Sequence, residues 1–528
     1  MVRLTFHGGV REIGGNKILL EDDRGKLFLD FGYPYKKYRD FYEEYLKPRP
    51  GAGLLDLLVM GLLPKLEGVY RTDLETEHLW QRFRRAKNYR KLEDIDGILL
   101  THAHLDHSGH IAFLREDIPV YATATTAFIA KAVQDSGKAS FDQQVCYFAP
   151  RIEECAEGLK QGAYVASSAG DRQRRFCLAD KSKLSQGAEK FWEKATGRKK
   201  LAWQPLGDIC GCSFTLRCFP VDHSIPGACA WGIETSSGWV VYSGDLRLHG
   251  RQGRLTELMI KEAARLHPRA LILEGTNVDK ATNVSEQEVY ENAFKAIRYA
   301  RGLVIADFSP RDVNRLLTFL QVARDTKRKL AILPRDAYLL KTMRLLEPEI
   351  PDLAAEESLA IYQETTAARS PAAWLRSIYE DYSSRIVLAK DVGANQGDFI
   401  LSFSFWDLNE LPSIQPRAGS LYVFSSSEPH DEEQEMDFWR LHHWLKHFQL
   451  RAFGLPVERN GKWEIPEEER GLHASGHACG ADLLRVAREI QPEVLIPVHS
   501  EKPEYYVDNL GDSGINVVLP TEGGTLEI

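Results

Sequence analysis

The segment THAHLDHSGH, residues 101–110, places three histidines and one aspartate within six residues. It follows DGILL, an apolar run typical of a strand, so we expect a loop at the carboxyl end of that strand. The spacing is HxHxDH, formed by His102, His104, Asp106 and His107. Imidazole and carboxylate groups this close together suit borderline divalent metals such as Zn²⁺ or Mn²⁺. The first two histidines can reach one ion while Asp106 and His107 reach a second.

Three further candidate ligands stand at the ends of other strand-like runs. His223 follows FTLRCFPVD, Asp245 follows VVYSG, and His499 follows VLIPV. Strand ends are where active sites tend to collect, so we expect these side chains to join the first cluster. Seven ligands would satisfy two metal ions that share one carboxylate. Glu274 in ILEGTN and His477 in HASGHA remain as candidates that this count does not use.

The composition is that of an ordinary globular protein. The 528 residues are 43% hydrophobic and 27% charged, which allows two or three domains and a large core. The net charge of −8 excludes a uniformly basic surface, so nucleic acid would need a local patch or metals. We expect no signal peptide, and the apolar stretch 54–63 is too short to span a bilayer. Eight scattered cysteines without a CxxC pair favour a reducing cytoplasm and no structural zinc site.

The pattern of predicted secondary structure changes after the strand-like run ALILEGT. SEQEVYENAFKAIRYARG predicts a helix that opens with a capping box, Ser285 to Glu288, and closes at Gly302. Strand and helix patterns then alternate, with the next helix expected from Arg311, which predicts a mostly parallel sheet. Near the end of the chain, DLLRVAREI predicts an amphipathic helix before the strand VLIPV.

Residues 36–91 and 135–205 are predicted to be insertions between strands. QRFRRAKNYRK carries six basic residues between positions 82 and 91. DRQRR and GRKK repeat the pattern with Arg172, Arg174, Arg175, Arg198, Lys199 and Lys200. Such patches could follow a phosphate backbone, or they could be solvated helix faces, and both interpretations stay open here.

The order and context of these motifs resemble the metallo-β-lactamase superfamily. ILEGTN, HASGHA and IPVHSE resemble the additional motifs of its β-CASP nucleases, and the opening LTFHGGVREIGGN and the ending VVLPTEGGTLEI are similar to the ribonuclease J group. The resemblance implies an α/β fold, an αββα sandwich with an inserted β-CASP α/β domain. Its core would comprise residues 1–283 and 471–528, with the β-CASP domain at 284–470.

The resemblance also implies a role for each candidate residue. His102, His104 and His223 would hold one metal; Asp106, His107 and His499 would hold the other; Asp245 would bridge them. Asp30 would steady the ligand loop from behind. His477 would be the general acid, oriented by Glu274. His473 and Ser475 would bind phosphate.

The implied function is a metal-dependent ribonuclease that hydrolyses RNA phosphodiester bonds with a hydroxide bridging two divalent ions, Zn²⁺ or alternatively Mn²⁺. The expected mode is 5′→3′ exonuclease with added endonuclease activity; an endonuclease alone or a DNA-acting β-CASP nuclease is the alternative. A small-molecule metallo-hydrolase and a non-catalytic scaffold are the alternatives from other classes. The expected partner is single-stranded RNA, and no membrane association is expected. A homodimer and a protein partner in an RNA-processing complex both stay open.

Four departures from the ribonuclease J pattern bear on this expectation. Glu274 stands where that group has Asp. The segments ADFSPRD, residues 306–312, and SSSEP, residues 425–429, replace small-residue and glycine-containing loops. We also expect no C-terminal domain after Ile528. The first three concern the 5′-end pocket, and the last concerns the oligomeric state.

Overall fold

The computed structural model describes residues 1–43, 45–137, 143–154, 163–194, 200–309, 311–365, 371–426, 432–459 and 462–528. The chain divides into two compact units. The first comprises 1–248, 252–282 and 477–528, and the second comprises 249–251 and 283–476. The second unit therefore ends at Gly476, six residues later than the domain boundary expected at 470.

The first unit is built on two β-sheets. The larger sheet has eight strands in the spatial order Gly207–Asp208, Phe176–Leu178, Val120–Ala122, Gly97–Leu99, Gly25–Leu29, Lys17–Asp22, Arg3–Gly8 and Thr525–Glu527. The smaller sheet has six, in the order Thr215–Pro220, Cys229–Thr235, Gly238–Tyr242, Ala270–Leu273, Val494–Pro497 and Asn516–Val517. The two sheets share one hydrophobic core, in which Phe6 and Leu29 of one sheet and Trp231 and Ile272 of the other are fully buried.

Helices cover the outer faces of both sheets. Phe176 of the larger sheet packs edge-on against Trp192, with ring centroids 5.2 Å apart. Leu483 and Val486 pack against the smaller sheet in a second core. The helices of this unit are Tyr35–Arg39, Leu55–Val59, Leu105–Ser108, Ala124–Ser136, Gln186–Trp192, Gly253–Ala264, Gly480–Ile490 and Glu504–Leu510. This layering is the expected αββα sandwich.

The second unit contains one parallel sheet of seven strands. Their spatial order is Ile386–Val387, Leu359–Tyr362, Lys329–Ile332, Phe399–Ser402, Val304–Asp307, Leu421–Phe424 and Arg451–Phe453. Its helices are Glu286–Ile297, Val313–Asp325, Pro334–Met343, Ala373–Asp381, Ala389–Ala394, Leu411–Ile414 and Glu432–His447. A separate core beneath this sheet includes Leu303, Tyr362 and Tyr422. The alternating pattern therefore does form the parallel sheet that the sequence predicts.

Two helix boundaries differ from the sequence prediction. The capping box between Ser285 and Glu288 is present, but the helix ends at Ile297 rather than near Gly302. A Cβ at Gly302 would lie 2.7 Å from Oγ of Ser420, so this glycine permits close packing instead of ending the helix. The following helix starts at Val313, two residues later than expected, because the Asp312 side chain accepts from the backbone N–H of Arg315.

The two insertions are smaller structures of the first unit. Short strands form the pairs Leu66–Glu67 with Arg90–Lys91 and Arg151–Glu154 with Ala163–Ala166, and a third sheet joins Tyr147–Phe148, Asp171–Gln173 and Leu201–Ala202. The apolar stretch 54–63 contains the helix Leu55–Val59, whose Leu57 and Leu58 are buried. Among the described helices, none has the length and apolar character needed to cross a bilayer.

The insertions do not present all of their basic residues to solvent. Arg174 is 1% exposed and donates to the backbone carbonyls of Leu114 and Ala112 at 2.7 and 2.8 Å. The interpretation of Arg174 as part of a phosphate-binding surface patch is therefore wrong. Arg90 forms two hydrogen bonds with Glu21 at 2.8 and 2.9 Å. Arg198 and Lys199 lie outside the described residues. Arg174 therefore fits neither a phosphate-binding patch nor a solvated helix face, and the charge of Arg90 is paired within the protein.

Candidate metal centre

The candidate ligands stand where strands of the two sheets end. His102 comes three residues after Gly97–Leu99, His223 three residues after Thr215–Pro220, and Asp245 three residues after Gly238–Tyr242. His499 comes two residues after Val494–Pro497. The structure thus brings together residues separated by almost four hundred positions in sequence.

The first donor set consists of three imidazole nitrogens. Nδ1 of His104 lies 3.1 Å from Nε2 of His102 and 3.1 Å from Nε2 of His223. Ligand nitrogens around a tetrahedral zinc ion lie roughly 3.3 Å apart, given bonds of about 2.0–2.1 Å. The spacing therefore fits a single ion held by these three side chains.

The second donor set combines two imidazoles with two carboxylates. Nε2 of His499 lies 3.3 Å from Oδ2 of Asp106, and Nε2 of His107 lies 3.1 Å from Oδ2 of Asp245. One ligand atom from each of the four residues falls within 4.8 Å of the others. This grouping matches the second set that the sequence predicts.

Asp245 faces both donor sets. Its Oδ2 atom lies 3.5 Å from Nε2 of His102 and 3.8 Å from Nε2 of His223, in addition to the 3.1 Å contact with His107. A carboxylate in this position can contribute to two neighbouring ions at once. The geometry therefore favours the bridging role expected for Asp245.

The hydrogen bonds of His107 test whether a cation fits. Its Nδ1 atom lies 2.7 Å from Oδ2 of Asp30, so the N–H of the ring points away from the donor set. That tautomer leaves a lone pair on Nε2 facing the Asp245 carboxylate, which requires a metal ion or a second proton between them. Among the described side chains, Nε2 of His107 and Oδ1 of Asp245 are buried without a hydrogen-bond partner. These residues fit divalent metal ions.

The electrostatics point the same way. Burial disfavours charge on His107, but the carboxylates of Asp245 and Asp106 outweigh it and raise the pKa of the imidazole well above its ordinary value. Burial alone would raise the pKa of Asp245, whereas the neighbouring histidines hold it well below its ordinary range. A cluster in which the acids stay ionised attracts positive charge, whether protons or metal ions.

Two features of the backbone around the site are unusual: a very close contact between two segments and positive φ angles at non-glycine residues. A Cβ at Gly32 would lie 1.6 Å from the carbonyl oxygen of Asp106, so only glycine fits there. Asp30 and His499 both have positive φ angles, 53° and 52°, in the left-handed region that non-glycine residues rarely adopt. Strain of this kind tends to occur at functional sites.

His477 and Glu274 form a pair beside the second donor set. Nδ1 of His477 lies 3.0 Å from Oε2 of Glu274, whose own oxygens also accept from the backbone N–H groups of Leu246 and Thr276. Burial lowers the pKa of His477, but Glu274 and Asp245 outweigh it and raise that pKa to about 9. The Glu274 carboxylate thus favours the protonated form of the His477 ring.

His473 and Ser475 belong to the second unit, as the sequence segment HASGH crosses from one unit to the other. Leu472 and Ala474 are buried whereas His473 and Ser475 are partly exposed, so burial alternates from Leu472 to Ser475 but not on to His477. The carbonyl oxygen of Ser475 lies 2.9 Å from Nε2 of His249. Their phosphate-binding role stays a prediction.

Sequence reasoning missed the residues that hold the ligands from behind. Oγ1 of Thr276 lies 2.8 Å from Nδ1 of His499, and the Tyr242 hydroxyl donates to Oδ2 of Asp30 at 2.7 Å. Both residues sit inside quoted motifs, ILEGTN and VVYSGD, where a polar side chain beside a candidate ligand was the available signal.

Comparison with protein families places the chain. Residues 73–158 match the beta-lactamase superfamily domain, and residues 469–520 match the Zn-dependent metallo-hydrolase RNA specificity domain. A protein of unknown function from Enterococcus faecalis V583 shares the fold, with a TM-score of 0.64, 20% identity and 99% coverage of both chains. The two-sheet sandwich and these two matched segments make the chain similar to metallo-hydrolases of the beta-lactamase superfamily.

Relatives that align with nearly all of this chain indicate which group of these hydrolases it resembles. The ribonuclease J of Mycolicibacterium smegmatis is 23% identical over 94% of this chain and 68% of its own. The ribonuclease J of Mycoplasma genitalium is 21% identical over 94% of this chain and 68% of its own. That of Helicobacter pylori is 20% identical over the whole of this chain and 60% of its own. The chain is therefore similar to ribonuclease J over nearly its whole length, the group that its motifs resemble.

Proposed function

We propose that this protein is a metal-dependent ribonuclease that hydrolyses RNA phosphodiester bonds. The observation that carries the proposal is the pair of donor sets sharing Asp245, with the His477–Glu274 pair beside the second set. Relatives named ribonuclease J align over 94% of the chain. The second α/β unit disfavours a small-molecule hydrolase, and the complete donor sets disfavour a non-catalytic scaffold.

The seven proposed ligands comprise five imidazoles and two carboxylates, a set that suits two Zn²⁺ ions, with Mn²⁺ as the alternative. Two divalent ions bound there would acidify a water molecule and draw charge from the phosphate oxygens. His477 would give the proton that the leaving oxygen needs, and Glu274 would keep its ring oriented. Help of this kind is worth roughly 10²–10⁴ in rate.

We propose RNA rather than DNA as the substrate. In the resembling family the late ligand position, here His499, tends to be histidine in RNA-acting members. The test is cleavage of RNA and single-stranded DNA of one sequence by the zinc-loaded protein. Faster cleavage of RNA supports the proposal, whereas faster cleavage of DNA contradicts it.

The proposed mode is 5′→3′ exonuclease, with endonuclease as the second candidate. Two acids in the segment 306–312 favour the second candidate. Asp307 is buried and accepts from the Tyr422 hydroxyl, and Asp312 caps a helix. Both residues therefore add carboxylates, rather than cations, to the segment that would receive phosphate. Pro310 and residues 427–429 of SSSEP lie outside the described residues.

One RNA prepared with a 5′-monophosphate, a 5′-triphosphate, a 5′-hydroxyl or as a circle separates the two modes. An exonuclease that holds a 5′-monophosphate should degrade the first RNA to mononucleotides and leave the circle intact. Equal cleavage of all four, with internal fragments and no mononucleotides, would establish the endonuclease instead.

We further propose single-stranded RNA as the binding partner and the cytoplasm as the site of action, consistent with the absence of CxxC pairs from the sequence. A homodimer or a complex with an RNA-processing protein remains the proposed assembly. Sedimentation of the purified protein with and without RNA would determine its oligomeric state.

A further inference from the structure

A basic pocket lies at the amino-terminal edge of the parallel sheet of the second unit. Three adjacent strands begin there, Lys329–Ile332, Leu359–Tyr362 and Ile386–Val387. Because parallel strands share one direction, the residues just before them meet at the same edge. The pocket has a volume of about 460 Å³ and is lined by Lys327, Arg328, Lys329, Glu357, Ser358 and Arg385.

The four cationic side chains of this pocket lack acidic partners. Among the described residues, no carboxylate oxygen lies within 4.0 Å of their charged nitrogens, whereas Arg90, Arg324 and Arg485 each form an ion pair. Glu356, next to the pocket, is paired with Arg324 instead, and Glu357 is the single acid among the lining residues. Four cations around one carboxylate leave a net positive charge, so an anion from outside would relieve the remaining repulsion.

Arg328 is the buried cationic residue of the pocket, and hydrogen bonds hold its side chain in position. It is 6% exposed and donates to the backbone carbonyls of Gly302 and Phe399 at 3.0 and 3.2 Å. These bonds orient the guanidinium without neutralising it. Burial lowers its pKa, an effect that the more distant Asp398 opposes.

Lys327 occupies a position that glycine usually takes. It follows the helix Val313–Asp325 with a φ of 56°, and the N–H of Arg328 bonds back to the carbonyl oxygen of Ala323 at 2.8 Å. This is the helix-ending turn in which glycine carries no steric penalty. A lysine at this point adds a charge to the pocket at a conformational cost.

We propose that this pocket binds phosphate groups of the RNA backbone and so gives the second unit a substrate contact of its own. The identity of the ligand as RNA rests on the proposed function. The lining has no aromatic or aliphatic side chain, so it offers no surface on which a base could stack. Lys327 and Lys329 are exposed, which suits an extended polyanion that passes over the protein.

The test uses the full chain with Lys327→Gln, Lys329→Gln and Arg385→Gln combined. Glutamine keeps most of each side chain and removes the charge, while the buried Arg328 is left in place. A control variant carries Lys295→Gln, Arg298→Gln and Lys390→Gln, three exposed changes elsewhere in the same unit. Both variants lose the same net charge, so a general electrostatic effect would appear in each.

Binding of a fluorescent 25-nucleotide RNA is measured with EDTA present, at several salt concentrations. Each lost phosphate contact lowers the salt slope by about 0.7, so the pocket variant should lose about 2 in slope. Its affinity should fall at least tenfold below that of the control variant at low salt. Equal slopes and affinities for the two variants would overturn the proposal.

Two further measurements separate an effect on RNA binding from an effect on the metal centre, and RNA binding from the binding of free phosphates. Hydrolysis of bis(4-nitrophenyl) phosphate reports on the metal centre and should be equal in both variants and the wild type. Wild-type protein that binds RNA through the pocket but never cleaves it would refute the proposed function and keep the anchor. If inorganic tripolyphosphate stabilises the wild type but not the pocket variant, while RNA binding is unchanged, the pocket serves free phosphates and the RNA anchor is wrong.

Discussion

Oδ2 of Asp30 lies 2.7 Å from Nδ1 of His107, and both side chains are completely buried. The same oxygen accepts from the hydroxyls of Thr101 and Tyr242 at 2.9 and 2.7 Å, while Oδ1 accepts from the backbone N–H of Thr101 at 2.8 Å. Four donors therefore converge on one carboxylate. This arrangement holds the His107 ring with Nε2 directed at the second donor set, although Asp30 itself need not touch a metal.

Asp30→Asn should weaken metal binding with little change in fold. Asparagine has nearly the same shape and tolerates the positive φ of this position, but its amide group would face one of the four donors. Loss of such a supporting partner typically lowers metal affinity 10–100-fold, roughly. Competition for Zn²⁺ with a chromogenic chelator measures the effect. Tyr242→Phe, which removes a single donor, serves as the control and should have a smaller effect; unchanged zinc affinity in Asp30→Asn would contradict this role.

Asp106→Ala should remove one metal ion and abolish RNA cleavage. Asp106 is the proposed second-set ligand that lies 3.3 Å from His499, and no other described carboxylate besides Asp245 joins that set. Elemental analysis of the purified proteins should show one ion per chain in the variant and two in the wild type. Asp117→Ala, an exposed aspartate paired with Arg115, is the matched control. Full activity of Asp106→Ala after chelation and exchange into Mg²⁺ would show that the two-metal hypothesis is wrong.

His477→Ala should slow turnover while the metal content stays the same. The ring is held by Glu274, whose carboxylate raises its pKa, so its loss should remove the proposed proton donor, at a cost of roughly 10²–10⁴ in kcat. His443→Ala, a change at an exposed histidine of the second unit, controls for loss of an imidazole. Single-turnover rates and zinc content are measured together. Loss of stoichiometric zinc in His477→Ala would make this residue a ligand and refute the acid assignment.

The sequence was most informative where the chemistry is local. HxHxDH lies within six residues, and the strands before each candidate ligand are readable from short apolar runs. The supporting contacts are not local: Thr276 meets His499, and Tyr242 meets Asp30, across more than two hundred residues. Such contacts depend on which strands become neighbours. Arg174 shows the same limit, since no local signal separates a buried arginine bonded to carbonyls from one on a basic surface.

The buried carboxylic acid of Asp307 makes the second unit sensitive to pH. Burial raises the pKa of Asp307 to about 7, although the hydrogen bond from Tyr422 opposes the shift. In the unfolded chain this group titrates near its ordinary value of about 4. Between about pH 4 and about pH 7 the folded state therefore binds more protons than the unfolded state, so the contribution of Asp307 to stability falls as pH rises.

Asp307→Asn should remove this dependence. The amide keeps the shape and stays neutral, so the variant should gain stability relative to wild type as pH rises from 5 to 7, by at most roughly 1.4 kcal/mol for each pH unit in this window. Above about pH 7.5 the difference should become constant. Urea unfolding at several pH values, followed by a signal from the second unit, measures the difference, and subtraction of wild type cancels other titrations that both proteins share. Asp398→Asn, an exposed change in the same unit, should show no such trend. A variant minus wild-type difference that stays flat from pH 5 to 7 would mean that Asp307 is already ionised in the folded protein.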